Sequence, residues 1–277
     1  MLDLGPAERA QQRAFRAFAA REIAPHADRA DADERLPAPV IRALAEAGHL
    51  GAALAPEHGG AGLSHLAWGL LHAEIGRACA SARSLLTVQT MVGRSIERWG
   101  SEAQRARYRP RLARGQLLAA FALSEPGAGS DLSALEASAR LDGDDYVLEG
   151  DKRWISFGQI ADLFLVFARL DGALAAFLVE PSLAGFTRSP VTGLLGARAS
   201  QLADLALRAC RVPREARLGG GRLPFSLVAT SALDLGRYSV AWGCVGLVEA
   251  ARGGEPVYAQ FLVGSDGEVV ARFRPRT

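Results

Sequence analysis

From Pro6 to about Gly115, apolar residues return every three or four positions, as at Val40, Leu44 and Ala47, and the residues between them are rich in Ala, Leu, Arg and Glu. A period near 3.6 puts such positions on one helix face, and these residue types are good helix formers, so a set of amphipathic helices is predicted. Pro37 and Pro39 open one of them and Gly48 and Gly51 close it. The run Pro56-Glu57-His58-Gly59-Gly60-Ala61-Gly62 cannot stay helical, and Gly100 ends the segment that carries Trp99. The Arg-rich run from Glu102 to Leu112 is expected to present a solvated helix face.

Near Leu117 the period changes. Leu117 to Leu123, Tyr146 to Leu148, Leu163 to Ala168 and Ala175 to Val179 are short apolar runs, with turn chemistry at Asp142-Gly143, Glu149-Gly150 and Asp171-Gly172. Short strands at that spacing predict a barrel or sandwich, ending near Gly219-Gly220-Gly221. Helical character returns from Ser231 to Ala250, with Leu233, Val240, Val245 and Leu247, until Gly253-Gly254. Val257 to Val263, Asp266-Gly267 and Val269 to Phe273 then read as a hairpin. The expected fold class is α+β multidomain: an α-helical domain over 1–116, a β-barrel or sandwich domain over 117–228, one helix of a carboxy-terminal bundle over 229–250, and a β-hairpin-like tail over 251–277.

The chain has 277 residues, room for two folded units. Hydrophobic residues at 49% and charged ones at 22% argue against a disordered or membrane chain. Basic residues number 32 against 30 acidic ones and are scattered, which gives no nucleic-acid footprint. Cys79, Cys210 and Cys244 lie far apart, as in a protein of a reducing compartment, and the cytoplasm is the expected location. The segment Met1 to Ala20 lacks the apolar core of a signal peptide, and no apolar run is long enough to span a membrane. His26, His49, His58, His65 and His72 show no metal-ligand spacing, so no metal site is expected, and no Gly-x-Ser-x-Gly elbow marks a serine hydrolase.

The passage Ala122-Leu123-Ser124-Glu125-Pro126-Gly127-Ala128-Gly129-Ser130-Asp131-Leu132-Ser133-Ala134 carries the most chemistry. It reads as a strand entering a loop whose glycines allow close backbone approach, with serine hydroxyls and amides open to an anion such as a phosphate. On composition alone, an ordinary glycine turn between strands is the commoner source of such a loop.

Together with Lys152-Arg153-Trp154-Ile155-Ser156, however, the passage resembles the two flavin-contacting motifs of the acyl-CoA dehydrogenase family. Further matches follow in order at Pro56-Glu57-His58-Gly59-Gly60, Ala161-Asp162, Phe177-Leu178-Val179-Glu180, Leu195-Gly196 with Arg198, and Arg211-Val212-Pro213. The resemblance covers residues 1 to about 250. It implies an FAD-dependent oxidoreductase acting on a CH-CH group, which dehydrogenates the α,β bond of an acyl thioester carried on coenzyme A or on an acyl carrier protein. An electron-transfer partner is implied as well, and the family forms homo-oligomers through helices that would lie beyond Ala250.

Carried over residue by residue, the resemblance makes Phe121, Leu123 and Ser124 line the flavin ring, with Ser124 bonding its pyrimidine edge. Trp154, Ile155 and Ser156 match the strand on the ring's other side. Gly129 and Ser130 match the turn near the pyrophosphate and the substrate, while Asp234 and Arg237 match substrate-binding positions. The run from Ala232 to Gly246 is similar to relatives that oxidise carrier-bound acyl units for polyketide assembly.

The family's catalytic base is a glutamate, in most members late in the carboxy-terminal helical domain, for which this sequence has no counterpart. A minority place it on that domain's first helix, immediately before an arginine. In Leu233-Asp234-Leu235-Gly236-Arg237 that position is Gly236, so no catalytic residue is expected within the chain. Asp234 lies about 200° around a helix from Gly236, and on helical grounds alone it is equally a solvated residue. The alternative expectation is an inactive, truncated remnant that binds flavin, a thioester or a partner protein. Residues 257–277 resemble the last hairpin of glutathione peroxidases, without a peroxidatic centre.

Overall fold

The computed structural model describes residues 4–219, 225–253, 261–263 and 269–272; of Phe225, Ser226 and the last two segments it describes only the backbone. Helix α1 (Pro6–Phe18) starts on a proline and passes through a π turn, Ala19–Ile23, into α2 (Ala24–Ala32). The π turn ends two residues before Pro25, whose missing N–H interrupts the ordinary helical ladder. Helix α3 (Ala38–Glu46) follows Pro37 and ends before Gly48, which sits at φ 71°. Ser64 caps α4 (His65–Ala78) by accepting from the Ala67 amide, α5 (Ala80–Trp99) stops at Gly100, and Ser101 with Gln104 forms a reciprocal cap on α6 (Glu102–Ala113).

Strands β1 (Ala119–Ala122), β2 (Ser138–Asp142), β3 (Asp145–Ile155), β4 (Leu163–Leu170), β5 (Ala173–Val179), β6 (Phe186–Pro190) and β7 (Ala203–Pro213) form a mixed seven-stranded sheet in the order β1-β4-β2-β3-β7-β6, with β5 on the other edge of β4. Both β1 and β2 run parallel to β4 along one edge: β1 pairs with Leu163–Val166, and Ser138 and Ala139 pair with Arg169 and Leu170. Phe164, Val166 and Ala168 face one apolar core, whereas Leu163, Leu165 and Phe167 face a second one shared with α5 and α6. Because β4 is buried on both faces, its sequence is a continuous apolar run rather than an alternation.

The Asp142-Gly143 and Asp171-Gly172 turns are where the sequence places them. The turn expected at Glu149-Gly150 is absent. Strand β3 continues through Gly150 with a register shift against β7, and Gly150 takes φ 136° while a Cβ there would lie 2.7 Å from the Ala137 Cα. The glycine thus serves the close approach of a neighbouring strand, not a chain reversal.

Helix α7 (Phe225–Gly253) packs against α4 and α5. A methyl group on Gly246 would overlap the Ala73 carbonyl, so that glycine permits the contact. Val240 and Val245 of this helix are exposed, whereas Leu247 is buried with Ala80 and Ala250. Phe261–Val263 (β8) and Val269–Arg272 (β9) pair antiparallel in a separate two-stranded sheet; the expected turns at Gly220-Gly221 and Asp266-Gly267, like residues 257–260 and Phe273, lie outside the described residues.

Candidate functional site

Strand β1 is set by a buried side chain from the helical layer. The Gln89 amide donates to the carbonyls of Leu112 (3.0 Å) and Leu117 (2.8 Å) and accepts from the Ala119 amide (2.9 Å), so α5 fixes where the strand begins. The chain then leaves the sheet at Leu123 and returns at Ala137. Glu125 and Ala128 exchange backbone hydrogen bonds of 2.8 and 3.3 Å, closing a tight turn at Pro126-Gly127, and Gly129 and Ser130 lie exposed. No heavy atom comes within 4 Å of a Cβ built on Gly127 or Gly129, so the backbone here is open to a ligand.

The second motif lies against the first. The Arg153 amide donates to the Ser124 carbonyl at 2.8 Å. One residue earlier, the Lys152 ammonium donates to the Leu123 carbonyl at 3.1 Å and to Glu125 Oε1 at 2.6 Å. Lys152 is 1% exposed, and burial pushes its pKa down from the ordinary lysine value against the opposing pull of Glu125. The Glu125 carboxylate also accepts from the amides of Glu136 (2.6 Å) and Ala137 (3.1 Å).

Beyond Lys152, β3 slips register against β7 until Ile155. Trp154 sits in the slip at φ 57°, a conformation uncommon for a bulky residue, held by its amide donating to Asp204 Oδ1 at 2.9 Å. Its side chain is 59% exposed, and the Arg153 guanidinium lies 4.8 Å from the indole ring centre. Ile155, by contrast, is 2% exposed and belongs to the sheet core, so only its backbone can face a ligand. Ser124 and Ser156 are half-buried, and neither hydroxyl has a hydrogen-bond partner among the described residues. Leu123 is buried, and Phe121 packs tilted against Phe167 with ring centres 4.9 Å apart.

An exposed indole, two available hydroxyls and an open glycine loop form a set of groups that fits a planar heteroaromatic ring bearing phosphates.

A cavity of about 470 Å³ lies between α4, α5 and α7, lined among others by Arg94, Arg98, Ser231, Asp234 and Tyr238. Asp234 lines it and pairs with Arg237 at 2.9 Å; both side chains are largely exposed, and Arg237 is not part of the lining. This cavity shares no lining residue with the glycine loop or the Trp154 segment. Gly236 stands beside Met91, whose sulfur would lie 3.2 Å from an added Cβ. Among the described residues, no group of three His, Cys, Asp or Glu side chains is arranged to hold a metal ion, and no helix is long and apolar enough to cross a membrane.

Sequence reasoning gave no role to Gln89, Glu125 or Lys152. The last two lie within the two motifs, but Glu125 stands between Ser124 and Pro126 and Lys152 between Asp151 and Arg153, surroundings that carry no signal of a buried charge.

Residues 5–116 match the family model for the acyl-CoA dehydrogenase N-terminal domain, and residues 120–210 match that for the acyl-CoA dehydrogenase middle domain. The mitochondrial short-chain specific acyl-CoA dehydrogenase of Bos taurus is 35% identical over 251 residues, covering 88% of this chain and 61% of the bovine protein. The chain therefore spans less than two thirds of that relative's length. A Mycobacterium smegmatis glutaryl-CoA dehydrogenase in complex with FADH2 superimposes with a TM-score of 0.86 at 31% identity, covering 91% of this chain and 64% of that one. FkbI, named for biosynthesis of the methoxymalonyl extender unit of the polyketide Fk520, superimposes with a TM-score of 0.79 at 36% identity, covering 88% of this chain and 68% of FkbI. With both domain models matched in order and the same helical and sheet layers in these structures, the chain belongs to the acyl-CoA dehydrogenase family.

Proposed function

We propose that this chain forms the flavin-binding part of a dehydrogenase that oxidises an acyl thioester to its 2,3-enoyl product. The observation that carries this reading is the joining of the two motifs through the 2.8 Å bond from the Arg153 amide to the Ser124 carbonyl, with the Trp154 indole exposed beside it. FAD, when bound there, supplies the acceptance of hydride from the β carbon. Trp154 offers a flat apolar surface for a ring to lie against. The hydroxyls of Ser124 and Ser156 are donors to its edge, and donors fixed where negative charge gathers lower the barrier to reduction. The open amides of the Gly127 to Ser130 loop suit phosphate oxygens.

Asp234, which lines the 470 Å³ cavity, and Arg237, which pairs with it, are read as the thioester-binding side. The likeness to FkbI and the sequence from Ala232 to Gly246 favour a short acyl unit on an acyl carrier protein; the likeness to the bovine short-chain enzyme favours coenzyme A. Electrons pass onward to an electron-transfer protein, and buried, unpaired Cys79 and Cys210 fit a cytoplasmic setting.

Gly236 favours a second reading, in which the chain binds flavin or thioester without turning it over, because no carboxylate stands at that position. The absorbance spectrum of the purified chain tests binding: flavin bands near one per chain support both readings, and a bare protein spectrum after incubation with FAD overturns both. Turnover of butyryl-CoA or a butyryl carrier protein with an artificial electron acceptor then separates them. Product formation by the isolated chain overturns the second reading, and its absence in a flavin-loaded chain overturns the first for this chain alone.

A further inference from the structure

The Lys152–Glu125 pair is unusual among the ion pairs of the described residues in that both side chains are buried, 0% and 5% exposed. Burying two charges costs several kcal/mol per ion, and an apolar pair of similar volume often gives equal or greater stability. Stability alone is therefore a weak reason for these two residues. Their remaining hydrogen bonds give a stronger one, since all of them go to backbone groups at the two feet of one loop. Lys152 holds the Leu123 carbonyl, where the chain leaves the sheet. Glu125 holds the amides of Glu136 and Ala137, where it returns.

Between those feet the loop forms no strand ladder; it is tied to the sheet by the Arg153 amide at Ser124 and by the Arg169 guanidinium at the carbonyls of Leu135 (2.6 Å) and Ser133. Strands β1 and β2 both pair with the same edge of β4, at Leu163–Val166 and at Arg169–Leu170, so the loop leaves and rejoins the sheet only a few residues apart. Sheet register fixes the feet but not the tilt of the tip that carries Gly129 and Ser130. Lys152 belongs to β3, adjacent to Arg153, whose amide bonds Ser124. Together with the Arg153–Ser124 bond, this buried pair makes the loop and the Trp154 strand parts of one wall.

We propose that Lys152 and Glu125 are positioning residues that lock the glycine loop against strand β3 in the geometry the flavin requires. The inference rests on the flavin reading given above and deepens it: the pair touches no ligand, and it acts by keeping both motifs at a fixed separation. Preorganised groups bind without a further ordering cost, so releasing the loop weakens ligand binding even where the fold survives.

The test is FAD titration of the full chain, followed by quenching of flavin fluorescence and by the fine structure of the visible band. In the double variant Glu125→Leu/Lys152→Met both charges are removed together, which avoids stranding one of them. The expected result is a cooperative thermal transition like that of the wild type, an FAD Kd raised roughly tenfold or more, and a featureless visible band. Leu44→Ala, in the fully buried core of the helical layer, serves as a control for stability alone, lowering the thermal transition without changing the Kd. Should the double variant not fold, Glu125→Gln keeps the volume but loses the charge, and a Kd raised roughly threefold or more in a folded protein supports the role. An unchanged Kd and spectrum in a folded variant overturn the positioning role while leaving the flavin reading intact. Failure of the wild-type chain to bind FAD overturns the flavin reading, and the positioning role with it.

Discussion

The amide of Arg153 donates to the carbonyl of Ser124 at 2.8 Å, which brings two segments distant in sequence into the same wall. The bond exists because β3 passes behind the exit of β1, and the adjacent Lys152 side chain is buried under the same loop. Each motif is a local piece of backbone chemistry; the site is the contact between them.

Removing one member of the buried pair leaves the other charge unpaired. Lys152→Met is expected to lower folding stability by about 3–5 kcal/mol, because the Glu125 carboxylate stays buried without its cation. Denaturant unfolding measures this directly, and a loss below about 1 kcal/mol is incompatible with the pair as described.

Trp154 is the exposed indole beside the candidate ring site. Adding FAD is expected to quench part of the intrinsic fluorescence, and Trp154→Phe is expected to remove most of that quenching while leaving the contributions of Trp68, Trp99 and Trp242. Equal quenching in the variant places the flavin elsewhere.

At Gly236, only the flexible end of Met91 stands near an added Cβ, with its sulfur at 3.2 Å and its methyl carbon at 3.5 Å. A glutamate fits with a small shift of that side chain, and it replaces a glycine inside a helix with a better helix former, a gain of about 0.5–1 kcal/mol. Gly236→Glu is expected to raise turnover of the flavin-loaded chain by roughly 10²–10⁴-fold, the usual contribution of a positioned general base. An unchanged rate, with flavin bound and stability raised, removes this position as a site for the base.

Two histidines make stability depend on pH. Burial against the edges of Phe15 and Phe18 lowers the His49 pKa to about 4, and His72, fully buried, is held well below the ordinary histidine value by burial first and by Arg83 second. Both are neutral when folded, so below about pH 6.5 the unfolded chain binds more protons and stability falls with pH. The loss runs from about 6.5 down to about 4 for His49 and continues lower for His72. Its slope is up to about 1.4 kcal/mol per pH unit for each histidine, less for the partly exposed His49. Both ring nitrogens of His72 lack a partner among the described residues, so His72→Leu is expected to flatten the profile without loss at pH 7. Denaturant midpoints at pH 7.5, 6 and 5 check both statements, and a flat wild-type profile refutes them.

Much of this protein is legible in the sequence because it is decided between neighbours in the chain. Helix spacing, the proline starts, the stop at Gly100 and the hairpin turns at Asp142-Gly143 and Asp171-Gly172 follow from local backbone preference, and each stands where that preference puts it. The two motifs were readable for the same reason, as short fixed orders of residues. What local preference does not decide are positions set by segments arriving from elsewhere. Gly150 reads locally as a turn but lies within β3, because Ala137 of the neighbouring segment leaves no room for a side chain. The face of Ile155 depends on a register slip against β7, and the burial of Leu247 depends on Ala80 of a distant helix. The Lys152–Glu125 contact lies beyond any local rule, since a charge goes inside only when its partner and the backbone groups that satisfy it are already there. The sequence by itself determined the elements and the family chemistry they carry; the tertiary structure decided which charges are buried and which backbone is open, and so where a ligand can be held.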